Sequence, residues 1–385
     1  TSHSHLFDDH GRRLWGSLAL LGIAVGGATA FITPERAWAS GLLTSFYLVT
    51  LGLGGAVFIA TANVTGAGWH IAIRRIPEAL TTLLPMSGLL LIGLLLAQSH
   101  RYAWHAHGDV GTFWFKQVWL SSTFLLIRAV AYLVLWLVFT TRLVAASRSQ
   151  DQLLTTGAQR INTTTSAVFL ALFAITFSLA AVDWIMALEP LWFSTMWGVS
   201  HFSGMFQATL AAIIIAGVLL RRGGQMHGIF RDEHLHDLGK LLLGFSCFWM
   251  YIWFSQYMLI WYSNIPEETT YFTSRLQGSW GPMVIASVVL NWVIPFFALL
   301  PRASKRSERM MLRVAGIVLV GRWIDLSVMV YPPVIGDAPA LGVPEVAGVV
   351  AGVGIALWTF TLAFSRASPV PLRDPLLGES LHYSN

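Results

Sequence analysis

The sequence predicts an all-α protein that crosses the membrane about ten times. Three observations predict it. Only 11% of the 385 residues are charged and 55% are hydrophobic, against roughly 25% charged in soluble proteins. The mean hydropathy is +0.63. Apolar stretches of about 20 residues, the length a helix needs to cross a hydrocarbon core of about 30 Å, recur from one end of the chain to the other. Backbone groups in hydrocarbon must be satisfied within their own segment, which makes each stretch a helix.

In chain order the windows fall near Leu14–Thr33, Leu42–Thr65, Ala79–Gln98, Val118–Thr141, Thr164–Met186, Met196–Leu220, Leu241–Trp261, Pro282–Leu300, Leu312–Tyr331 and Glu345–Phe364. The first follows Arg12 and Arg13 and precedes Ala37-Trp38-Ala39, an arrangement shared with cleaved signal peptides. It is read here as a retained helix. The loops are too short to bury a core of their own, so residues 1–385 form a single membrane domain. Gly22-x-x-x-Gly26 and Gly348-x-x-x-Gly352 in the outermost windows permit close backbone approach, to each other or to partner subunits.

Lys and Arg in the loops give an orientation. Arg12 and Arg13, Arg74 and Arg75, three in 142–160, four in 221–240, five in 302–313 and two in the tail make 18 on one side. Arg36, Arg101, Lys116 and Arg275 make 4 on the other. The bias puts both termini in the cytoplasm, and it explains the basic pI without a nucleic-acid partner.

Other chemistries lack their residues. Cys247 is the only cysteine, so disulfides, Cys-ligated iron–sulfur clusters and Cys-rich zinc sites are excluded. There is no P-loop, dinucleotide-binding glycine motif or nucleophile elbow. His100, His105 and His107 with Asp109, and Asp232, Glu233, His234, His236 and Asp237, are loop clusters that read as solvated rather than metal-binding.

Ionisable residues inside the windows are costly and need a partner or a function. These are Arg128, Asp183, His201, Arg322 and Asp325, the last two on one helical face and spaced for an ion pair. Asn63, Gln256, Tyr257 and Asn291 are the uncharged polar additions, and Glu189 stands in the loop after the fifth window. Asp183, Glu189, His201, Gln256 and Asp325 fall towards the external half. Such a cluster serves a proton conduit, with Asp, Glu and His as relays, or a quinol site in which they accept hydroxyl protons. A structural set of ion pairs is the third reading. A polar route inward from Arg128 through Asn291 and Asn63 distinguishes the conduit. Only His201 lies deep enough for an axial haem ligand, so intrinsic haem is not expected.

Phe254-Ser255-Gln256-Tyr257-Met258-Leu259-Ile260-Trp261-Tyr262-Ser263-Asn264-Ile265-Pro266-Glu267-Glu268-Thr269 resembles, nearly letter for letter, the seventh-helix signature of the ActF-type membrane subunit of bacterial alternative complex III, a quinol:electron acceptor oxidoreductase. Asp183-Trp184-Ile185-Met186-Ala187-Leu188-Glu189-Pro190 with Trp192-Phe193-Ser194-Thr195 is similar to that subunit's fifth-helix exit, and Gly321-Arg322-Trp323-Ile324-Asp325 to its ninth helix. The resemblance implies a fold like the NrfD or polysulfide-reductase anchors. Its two four-helix bundles would be helices 2–5 (residues 42–186) and 6–9 (residues 196–331), with peripheral helices at 14–33 and 345–364.

It also implies a bacterial inner-membrane respiratory complex. The neighbours would be an ActC-like quinol-binding subunit, multihaem cytochrome c and iron–sulfur subunits, lipids and a terminal oxidase. The chain itself would hold no redox cofactor or metal and would be a non-redox subunit of the enzyme. Quinol would enter the complex, and this chain would contribute a proton-translocation pathway. The proton role is carried onto Asp183, Glu189, His201 and Asp325, with Arg128 and Arg322 as counter-charges and Gln256, Tyr257, Asn291 and Asn63 as further candidates. A quinol site near the outer face and a structural scaffold are the alternatives.

Overall fold

The computed structural model describes residues 9–98, 102, 114–151, 158–189, 191–336, 338–366, 368–371 and 374–383. They form an all-α polytopic membrane protein with no strand among the described residues. In order the helices are α1 (Asp9–Thr29), α2 (Pro34–Thr65), α3 (Arg75–Leu80), α4 (Leu83–Gln98), α5 (Trp114–Trp119), α6 (Ser122–Gln150), α7 (Ala158–Trp184), α8 (Trp197–Arg222), α9 (Asp232–Ser263), α10 (Pro266–Leu276), α11 (Gly281–Val288), α12 (Ile294–Leu299), α13 (Arg302–Arg306), α14 (Glu308–Val330), α15 (Pro332–Ile335), α16 (Val343–Phe364) and α17 (Leu377–Leu381).

All ten expected windows are helical, and eight spans are long and apolar enough to cross a membrane by length and composition. The two that fall short are α1, which begins with Asp9, Arg12 and Arg13, and α14, which holds Arg322 and Asp325 in its interior.

One group of helices joins α2, α4, α6 and α7; a second joins α8, α9, α11–α12 and α14. Helix α2 is apolar all round and buried along most of its length, the expected state of a helix surrounded by neighbours. It meets α8 so closely that a Cβ on Gly54 would lie 1.8 Å from Thr209 Oγ1. Helix α16 packs on α2, and α1 packs on α16. The two glycine motifs do not meet each other. A Cβ on Gly22 would stand 2.4 Å from Ala351 N and one on Gly354 2.4 Å from Ala19 N, whereas Gly348 and Gly352 face Thr44 of α2. Gly348 and Gly352, four apart, share the face turned to α2, and Ala347 and Ala351, one residue earlier and also four apart, share the face turned to α1.

Two short elements are not predicted by the sequence. Residues 266–276 form α10, started by Pro266 at its first position. Residues Val289–Val293 form a π-helical turn between α11 and α12. Pro295 follows, and it has no N–H to offer the Asn291 carbonyl four residues back.

Arg36 grips Glu345 through Nε at 2.9 Å and Nη2 at 2.6 Å, joining the first turns of α2 and α16. At the arginine-rich end, α17 is pinned by Ser380, whose Oγ accepts from Ala72 N at 3.0 Å and donates to Trp69 O at 2.6 Å.

Candidate functional site

Arg322 and Asp325 lie three apart on α14, on one face, both buried, and their side chains form an ion pair. The second guanidinium nitrogen, Nη2, donates to His201 Nδ1 on α8 at 3.1 Å. An arginine only donates, so this ring nitrogen accepts and the imidazole is neutral with its proton on Nε2. That Nε2 is buried with no partner, and the ring sits between Phe46 and Trp197 at centroid distances of 5.2 and 5.0 Å. Gly204 makes room, because a Cβ there would lie 2.4 Å from Arg322 Nη1.

Asp325 is loosely held beyond its arginine. Trp249 Nε1 donates to Oδ2 at 3.3 Å and Ser287 Oγ to Oδ1 at 3.4 Å. From Ser287 the contacts continue inward: Asn291 Nδ2 donates to Ser287 O at 2.9 Å, and Gln207 Nε2 donates to Asn291 O at 2.6 Å and to Ser246 Oγ at 2.9 Å. The carbonyl that takes the Gln207 bond is the one Pro295 cannot serve. Asn291 Oδ1 and Gln207 Oε1 are buried without partners. Beyond them, towards the arginine-rich end, the bundle is lined by buried apolar side chains including Leu210, Ile214, Leu242 and Val314.

On its other side Asp325 borders a cavity of about 30 Å³ with Trp197, Ser200, Gln256, Tyr271 and Arg275. A water needs roughly 10–15 Å³ of such space and two or more polar partners, so the cavity suits about two waters. The buried, unpartnered Nε1 of Trp197 supplies one donor. The roof is α10. Arg275 is 3% exposed; its Nε donates to Val328 O at 2.9 Å, Nη1 to Tyr271 O at 3.1 Å, and Nη2 pairs with Glu189. Its guanidinium lies 3.7 Å over the Tyr271 ring, which stacks on Trp192 at 4.0 Å. Burial pushes the Tyr271 phenol up, against the opposing pull of Arg275.

Gln256 accepts a hydrogen bond from Ser194 Oγ at 3.1 Å. Tyr257 turns away, between Trp253 and Phe272, and lines a separate groove of about 240 Å³ with Trp261, Asn264, Thr269, Thr273 and Gln277.

Arg128 and Asp183 form their own centre in the first group. Arg128 Nε and Nη2 reach the two carboxylate oxygens at 2.8 and 2.9 Å, Trp119 Nε1 donates to Oδ1 at 2.9 Å and Tyr132 to Oδ2 at 3.2 Å. Asn63 donates to Ser166 Oγ at 3.1 Å, also in the first group. The route sought from Arg128 through Asn291 and Asn63 therefore does not form. Arg128 and Asn63 belong to one set of helices and Asn291 to the other, facing its interior.

Of the loop clusters, the one around His100, His105, His107 and Asp109 lies outside the described residues. In the other, Asp232 pairs with Arg221, Glu233 with Arg306 and Asp237 with Lys240, while His234 contacts Ser380. No group of three or more metal-ligating side chains occurs among the described residues.

The site residues that escaped sequence reading include Arg275 and Tyr271, in a segment taken as loop, and Gln207 and Ser287, uncharged and unremarkable in their helices. The four-residue spacing of Tyr271 and Arg275 and the four-residue offset of Asn291 from Pro295 were the available signals. No protein-family model matches this chain, and no curated protein matches it.

Proposed function

We propose that the chain is a membrane subunit of a bacterial respiratory quinol:electron acceptor oxidoreductase of the alternative complex III type. In this reading it supplies a proton half-channel that opens on the outer face and ends at Asp325. The arginine-rich end then faces the cytoplasm, and haem c, iron–sulfur clusters and the principal quinol site belong to partner subunits. The resemblance of the segments at 183–195, 254–269 and 321–325 supports the respiratory assignment. One observation carries the proton assignment: Asp325 borders a water-sized cavity, otherwise largely apolar, to which Ser200, Gln256 and Arg275 add polar groups and over which Arg275 pairs with Glu189, while the bundle interior beyond Gln207 is apolar. A buried carboxylate reached by water from one side exchanges protons with that side.

Arg322 and His201 act as Asp325's electrostatic setting: the guanidinium favours the ionised carboxylate, and the neutral imidazole holds the guanidinium in place. Glu189, Arg275 and Gln256 line the approach. Asp183 and Arg128 are structural in this reading, because every carboxylate lone-pair direction is occupied by fixed donors.

A second reading has its own observation. The groove of about 240 Å³ beside Tyr257, Trp261 and Phe272 admits a ring headgroup, which the cavity of about 30 Å³ does not. It favours quinol contact at the outer end of α9.

Asp325→Asn, made in the assembled complex, tests the assignment. Proton release per quinol oxidised should fall while quinol affinity is kept. Unchanged proton release would refute the half-channel. Loss of quinol affinity with Tyr257→Leu, and not with Asp325→Asn, would favour the second reading.

A further inference from the structure

At the arginine-rich end of the second helix group, residues 221–240 and 302–313 carry nine Lys and Arg against four carboxylates. The carboxylates are all engaged: Asp232 by Arg221, Glu308 by Arg221 and Arg222, Glu233 by Arg306, and Asp237 by Lys240. Lys305 is turned inward, donating to the carbonyls of Leu299, Leu300 and Pro301 at 2.6, 3.0 and 3.3 Å. Arg309 and Arg313 are exposed and have no ion-pair partner among the described residues.

Their placement is specific. Arg309, Arg313, Gly316 and Val320 follow one another at intervals of four, three and four residues, so they share one face of α14. Val320 is 55% exposed on that face, which is therefore turned away from the other helices of the chain. A Cβ on Gly316 would meet nothing within 4 Å. The stripe thus changes from open and apolar to doubly cationic within one turn, and the change falls in the first two turns of a helix that starts at Glu308. Arginines in the first two turns of a spanning helix lie at headgroup depth, where phosphate is the available anion.

We infer that Arg309 and Arg313 together bind the phosphate of an anionic phospholipid, with one acyl chain lying along the shallow strip left by Gly316 and Val320. The bidentate fork of arginine suits phosphate, and two on adjacent turns reach a single headgroup. The site does not depend on the proposed respiratory role.

The test is lipid titration of the delipidated full-length protein, followed by native mass spectrometry with phosphatidylglycerol and phosphatidylcholine as probes. Phosphatidylglycerol should bind about 30-fold tighter, as expected of two basic side chains at a headgroup. Arg309→Gln with Arg313→Gln should abolish the preference. Gly316→Leu should weaken both lipids while leaving the preference intact, and it keeps the inference testable if the double variant does not fold. Equal affinity of the parent protein for the two lipids would overturn the inference, as would an unchanged preference in the double variant. A preference lost on filling Gly316, with the arginines in place, would overturn the headgroup assignment.

Discussion

Arg128 and Asp183 form a bidentate pair across α6 and α7, and the aspartate also accepts from Trp119 and Tyr132. The guanidinium is itself covered, 4.0 Å above the Trp119 ring and 4.5 Å from Phe124, while Nη1 donates to Trp119 O at 2.8 Å. A buried pair of this kind tolerates loss of neither partner. Asp183→Ala leaves an arginine uncompensated, so the unfolding free energy should fall by about 3–5 kcal/mol. Arg128→Lys should also destabilise, because an ammonium cannot span both oxygens. Thermal unfolding in one detergent checks both; a melting point unchanged in Asp183→Ala would contradict a structural role.

The small-residue contact between α1 and α16 gives a second expected outcome. Gly22→Val places its side chain into the Ala351 backbone, against a Cβ position already 2.4 Å from Ala351 N. Backbone does not yield as a flexible side chain does, so α1 should be displaced while the helix groups stay assembled. Cysteines at Gly26 and Ala347, whose Cβ positions lie 3.9 Å apart, meet the geometry of a disulfide. They should cross-link in the parent background and not alongside Gly22→Val.

The legible part of this architecture was what a single helix encodes by itself. The spans follow from apolar length, and the Arg322–Asp325 pair from a spacing of three. Asp183 and Arg128 were visible as isolated costs, but their partnership depends on which helices adjoin, and no local periodicity records that. The roof over Asp325 was hidden for a different reason. Residues 266–276 are too polar to look like a span, and nothing local distinguishes a short helix folded over a bundle from a loop in solvent. Glu78 was missed likewise: the Arg74–Arg75 pair was read only as a loop charge, yet all three side chains are buried and Glu78 sits between both arginines.

His70 provides a pH dependence at the arginine-rich end. Its Nδ1 is 2.7 Å from Ala67 O, Nε2 is buried without a partner, and burial together with the nearby Arg74 brings its pKa down to about 3. The folded protein therefore keeps this imidazole neutral, while the unfolded chain protonates it near pH 6.5. Stability from this group is complete above about pH 6.5 and is lost as pH falls, by at most about 1.4 kcal/mol per pH unit. His70→Gln should flatten the parent's decline in melting temperature between about pH 6.5 and 5. An equal decline in both proteins would remove His70 as its source.

Gln207 tests whether the polar chain from Asp325 to Ser246 is sealed from water. Its amide nitrogen donates to Asn291 O and Ser246 Oγ at 2.6 and 2.9 Å, and the amide oxygen is buried. Gln207→Met removes the donor at nearly constant volume and leaves both acceptors in an apolar setting, which should cost about 1–3 kcal/mol. Gln207→Glu is the sharper probe, since an ionised carboxylate donates nothing and would face the Asn291 carbonyl. The carboxyl should therefore remain protonated in the fold, where its O–H can replace one of the two bonds. Its folded pKa then lies above the unfolded value of about 4.3. Between those two values the unfolded state binds fewer protons, so the variant should lose stability relative to the parent as pH rises. Melting curves of both proteins at pH 5 and pH 8 measure the difference directly. A gap that does not widen at the higher pH would mean that water reaches position 207, and that the apolar barrier beyond Asn291 is breached there.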